Sequence, residues 1–170
     1  GESLVVVGVG GISWDDVSAE ETPVLWGLLR DGAAASVSVK TLHLTTCPTD
    51  GWSTLSAGEA AGPEAEGDRP ECAPLPEVLD DAKGGHTIAG FDDLATASRE
   101  AAFEARLGLL GDSFATNTSC VSAIGPGAAI AAATSDGQVE RYAPFEVATL
   151  VSELAKCPIS IVDAGAVLTT

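Results

Sequence analysis

Leu4-Val-Val-Val-Gly-Val9 is apolar at every position, without the alternation of a strand that keeps one face in water. Such a run predicts a strand over 3–9 that is buried on both faces, as in a parallel sheet covered by helices. Parallel strands cannot be joined by tight turns, so the remaining chain has to alternate strands with helical crossovers. The pattern downstream meets that demand. Glu21–Gly32 predicts a helix with Thr22 as N-cap and Pro23 at its first position, and Ala33–Val39 predicts a second strand. Leu75–Ala82 reads as a short helix and Thr87–Ala89 as a brief strand. Asp92 opens a helical pattern to about Leu110, with a further helical piece to Ala115. Cys120–Ile124 reads as a strand, and Ala128–Tyr142 as a hairpin around Asp136-Gly137. Phe145–Lys156 predicts a helix and Ile159–Val162 a final strand. The expected fold class is α/β: three layers, α/β/α, around a mainly parallel sheet. It forms a single domain over 1–170, with an acidic Gly/Pro-rich loop over 59–77.

Thr41-Leu-His-Leu-Thr-Thr-Cys-Pro-Thr-Asp-Gly-Trp-Ser-Thr-Leu-Ser-Ala-Gly58 is the segment with chemical promise. Thr46, Pro48, Thr49 and Asp50 suit a helix start, because proline fits the first turn while Thr and Asp cap free N–H groups. Residues just ahead of such a helix lie in its positive end field, where phosphate or sulfate binds. Thr46 is therefore a candidate nucleophile or anion ligand, with Thr45 and Thr49 as candidate substrate contacts; plain capping is the simpler alternative. Gly8, Gly10 and Gly11 permit a tight exit from the first strand and close backbone approach to a ligand, although G-x-G-x-x-G is not completed. Asp15 and Asp16 follow that exit, and Asp163 falls at the end of the last strand, where open parallel sheets place ligands. Each of these acids is equally at home in a turn or cap. Trp26 and Trp52 suit packing better than substrate stacking. Asn117-Thr-Ser119 matches a glycosylation sequon, a weak signal on its own.

The order of these segments resembles the alkaline phosphatase-like superfamily of phosphatases, sulfatases and nucleotide phosphodiesterases. In that family an opening strand ends in a Val-Asp-Gly-type turn, and a Thr-Pro-x-Leu helix follows. A Thr-x-Pro or Ser-x-Pro segment then carries the nucleophile, ahead of a helix closed by Thr-Gly or Ala-Gly. Here the matching residues are Thr22-Pro-Val-Leu25, Thr46-Cys-Pro48 and Ser56-Ala-Gly58, so the resemblance covers roughly residues 3–58. It implies Thr46 as nucleophile, with zinc, manganese or magnesium held by acids such as Asp50, Asp16 and Asp163. One departure is central: Gly10 stands where the family has its first metal-binding aspartate. The family's other ligands include several histidines, whereas this chain has only His43 and His86.

Eight basic residues against twenty-five acidic ones give a net charge of −17, which argues against a nucleic-acid partner or an anionic membrane surface. No apolar run is long enough to span a bilayer, and no signal-peptide pattern is present. The opening Gly1-Glu-Ser3 and the lack of methionine suggest a piece excised from a longer chain, with any anchor outside it. Cys47, Cys72, Cys120 and Cys157 form no Cys-x-x-Cys pair, so a structural zinc site is disfavoured. Three disulfide connectivities are open, as are four reduced thiols. Cys47–Cys72 with Cys120–Cys157 is preferred, since the first ties the acidic loop to the Thr46 segment and the second joins two strand starts.

The function expected is that of a degenerate alkaline phosphatase-like domain acting as an extracytoplasmic binding or scaffolding module. Its candidate partners are a small anionic ester or a cell-envelope component. The alternative is a metal-dependent phosphoester or sulfate-ester hydrolase whose remaining ligands lie outside this stretch.

Overall fold

The computed structural model describes residues 3–36, 41–65, 67, 71–117 and 120–167. The chain is mixed α/β. A four-stranded parallel sheet runs in the order β1 (Leu4–Gly10), β7 (Ile159–Ala166), β4 (Val121–Ile124) and β6 (Tyr142–Ala143). A small antiparallel sheet joins β2 (Val78–Asp80), β3 (His86–Ile88) and β5 (Gln138–Val139). The helices are α1 (Pro23–Asp31), α2 (Pro48–Ala57), α3 (Phe91–Glu100), α4 (Leu109–Thr116), α5 (Pro126–Ala132) and α6 (Val147–Leu154), with a 3-10 turn at Trp14–Asp16.

In register, β7 stands between its two neighbours, with Ile161 opposite both Val6 and Ala123. Helix α5 lies across β4 and β7, and α2 packs against α5. Val121, Ala123 and Ile161 from the sheet meet Ala128–Ala131 of α5 and Trp52 of α2, and Ile88, Phe91, Leu94 and Val139 extend this core. Alanine-rich α5 lets helix and sheet approach closely, and its Ala128, Ala129, Ile130 and Ala131 are completely buried.

The expectation of a first strand covered on both faces is overturned. Among the described residues β1 is an edge strand, and Leu4 and Val7 are each 57% exposed. It is β4 that is buried at every position, because it has strands on both sides and helices over it. Four other expectations change. Leu75–Ala82 is not a helix: Pro74 and Pro76 deny it backbone donors, and Val78–Asp80 pairs with β3 instead. The helical pattern from Asp92 breaks after Glu100, because Ala101 turns extended and Gly108 takes a left-handed φ of 92° before α4. Gly108 N–H donates to the buried Ser56 hydroxyl, which fixes that break. Ala128–Tyr142 is not a hairpin, because Pro126 starts a helix through its alanines. The turn at Asp136-Gly137 delivers β5 to one sheet, and β6 joins the other. Of the expected strand Ala33–Val39, residues 33–36 carry none and 37–39 lie outside the described residues. The end of Asn117-Thr-Ser119 also lies outside them.

Two disulfides, Cys47–Cys72 and Cys120–Cys157, are present, the chemistry of an oxidising, extracytoplasmic environment. Among the described residues no helix is long and apolar enough to cross a membrane.

Candidate functional site

Helix α2 begins at Pro48 with Cys47 as N-cap in extended conformation. The expected start is thus shifted slightly along the chain, and its donors are satisfied by an acid. Asp50 Oδ2 accepts the Cys47 N–H at 2.9 Å, the returning half of a capping box. Asp50 is 1% exposed, and its carboxylate already stands at the positive end of α2, where an incoming anion would have to compete with it. Its other oxygen faces His43: Nδ1 and Oδ1 are 3.6 Å apart, within ion-pair range for a protonated imidazole and too long for a hydrogen bond. The backbone of Gly62 closes the remaining side, since a Cβ there would overlap Asp50 Oδ1.

Thr46 is exposed just ahead of this cap. Thr41 Oγ1 donates to the His43 carbonyl at 2.9 Å, so the Thr46 hydroxyl, 3.1 Å away, donates to Thr41. A hydroxyl nucleophile needs a base or metal to take its proton. Thr46 Oγ1 has only another hydroxyl as its partner among the described residues. Thr45 is half-buried and Thr49 is buried. The threonines therefore do not form an open row facing a ligand.

The second cluster lies around the carboxyl end of β7. Asp163, opposite Gly8 of β1, is 6% exposed. Its Oδ2 accepts the N–H of Gly127 in the first turn of α5 at 2.8 Å, and Oδ1 accepts the N–H of Gly165 at 3.0 Å. The Trp52 indole fills the space between Gly8 and Gly127, so Trp52 packs beneath the crevice. Burial, and behind it the charge of Asp163, push the Tyr142 phenol above its usual pKa.

Asp163→Asn tests this arrangement. An amide has one acceptor oxygen, so one of the two backbone donors would face an NH2 group. The expected loss is about 1–3 kcal/mol in urea denaturation. An unchanged midpoint would mean that these donors do not depend on the carboxylate.

Asp16 is separate from both clusters. The backbone N–H of Ser13 and then its hydroxyl bond to Asp16 and hold its carboxyl below the usual range. Gly10 and Gly11 approach β7 closely: Val167 N–H donates to Gly10 O at 2.9 Å, and a Cβ on Gly11 would lie 2.7 Å from Val167 O. That close approach is to the protein's own chain at the end of β7.

Sequence reasoning did not find the facing of His43 and Asp50, although both bracket the Thr46 segment. It also missed Gly127 as a donor to Asp163, because that pair is joined only by the parallel sheet. The donor set does not fit a two-metal centre. Such a centre needs several ligands around ions about 3.5–4 Å apart. Among the described residues no three His, Cys, Asp or Glu side chains are grouped to hold a metal. No family model, curated protein or solved structure matches this chain.

Proposed function

We propose that this chain is a degenerate, non-catalytic domain of the alkaline phosphatase-like type, with a three-layer α/β/α plan, acting outside the cytoplasm as a binding or scaffolding module. The observation that carries the reading is how the candidate acids are used. Asp50 caps its own helix, Asp163 holds two backbone N–H groups, and Asp16 closes a turn on Ser13. Each is engaged in the protein's own architecture, and among the described residues the hydroxyl of Thr46 has only another hydroxyl as its partner. The two disulfides support a secreted or envelope-anchored setting.

The test is hydrolysis of phosphate monoesters, phosphate diesters and sulfate esters with added zinc, manganese or magnesium, comparing the chain with Thr46→Ala. Expected is no turnover above buffer in either protein. Metal-dependent turnover that disappears in Thr46→Ala would establish a hydrolase and remove this reading.

A further inference from the structure

The acidic surface of this protein carries an apolar region around β1 and α1. From Ser3 through Trp14 no side chain carries a charge, and the β1 residues within it are bare. On leaving β1 the chain enters an open groove of about 530 Å³, lined by Ile12, Trp14, Val17, Leu25 and Leu29. Trp14 is 63% exposed at its mouth, and Val24 and Leu28 of α1 are 78% and 66% exposed. An exposed apolar groove with further exposed apolar side chains on the elements that form it is the kind of surface that marks a site of association.

The groove also carries a charge signature. The elements forming it hold Asp15, Asp16, Glu20, Glu21 and Asp31, and their only base, Arg30, is bonded to Asp31 at 2.8 Å. An apolar trough whose forming segments carry Asp15, Glu20 and Glu21, exposed acids with no basic partner among the described residues, complements a segment that is apolar on one side and basic on the other. It repels anionic lipid headgroups, and it repels a second copy of a chain whose net charge is −17.

We propose that this groove, with the adjoining face of β1, docks a cationic amphipathic segment of a partner protein. The inference rests on the binding-module reading and names the partner's chemistry. Apolar side chains of the segment enter between Trp14 and Leu25, while its lysines or arginines meet Asp15, Glu20 and Glu21. The recognition mode is an amphipathic segment in a groove, in which anchors supply affinity and the charged rim supplies selection and salt dependence.

The experiment measures fluorescence polarisation of a labelled leucine/lysine peptide with helical amphipathic spacing. The comparison peptide has the same composition in scrambled order, so a general attraction to an acidic protein affects both equally. Expected is binding of the patterned peptide at least about 10-fold tighter than the scrambled one, weakening with salt. A similar loss, about 10-fold, is expected in Trp14→Ala and in the double variant Glu20→Lys/Glu21→Lys. All of these positions are exposed, so unchanged circular dichroism will show that the variants are folded. Equal binding of both peptides, no binding, or binding unmoved by either variant overturns the proposal. So does capture by neutral phosphatidylcholine vesicles, or a sedimenting dimer that shields Trp14, in place of peptide binding. Failure here without Thr46-dependent turnover removes the groove assignment alone, whereas such turnover removes the module reading.

Discussion

Gly127→Ala is expected to destabilise the protein by about 3 kcal/mol, although it replaces a helical glycine by the best helix former. Local propensity alone predicts a gain of about 0.5–1 kcal/mol from such a change. Packing reverses the sign. A Cβ at Gly127 would overlap the Trp52 indole and lie 2.6 Å from Asp163 Oδ2. Trp52 is itself wedged beneath Gly8, and Asp163 is fixed by the N–H of Gly127 at 2.8 Å. Neither neighbour has a free direction in which to yield. Gly51→Ala is the paired control, because it is also helical but has nothing within 4 Å of the added carbon. Denaturation should show the control slightly more stable than the parent and Gly127→Ala far less so. If both alanines stabilise, α5 does not sit against Trp52 and Asp163 as described.

Cys72→Ser is expected to cost about 3.5 kcal/mol, because cysteines 25 apart close a loop whose entropy the unfolded chain regains when the bridge is lost. For a chain of this size that loss corresponds to a melting point lower by roughly 10 °C. Cys72 is the exposed partner, so its substitution leaves Cys47 as the N-cap of α2 and Asp50 on the Cys47 N–H. The effect should therefore be global stability lost without a change in the content of helix and strand. A melting point within a degree or two of the parent would mean that the bridge adds nothing. Loss of secondary structure at low temperature would mean that the Thr46 segment needs the bridge to hold its conformation.

Much of the architecture was legible from local pattern. The first and last strands, α1, α2, α6 and the alternation of strand with helix follow from apolar runs, from prolines at helix starts and from the glycines that close them. The helical start at Pro48 was legible for the same reason, since Pro and Asp have strong positional meaning in a first turn. Elements that exist only through distant pairing were not. Val78–Asp80 is a strand because β3 lies beside it, and Gln138–Val139 is one because β3 has a second free edge. The helix through Ala128–Ala132 was hidden by the Asp136-Gly137 turn, a signal that marks a reversal without saying which strands it joins.

The strong acidity, the even cysteine count and the apolar character of Leu4–Val9 are plain from the residues alone. What those features do follows from how the folded chain arranges them. Apolar character makes Leu4–Val9 a strand, but its neighbours decide whether it is covered, and among the described residues β1 has a partner strand on one side alone. Likewise the presence of Asp50 and Asp163 was plain, while their engagement with Cys47, Gly127 and Gly165 depends on where each backbone N–H arrives in space. A carboxylate becomes a ligand or a cap according to which donors surround it, and for Asp163 the Gly127 donor is brought from far along the chain by the parallel pairing of β4 with β7.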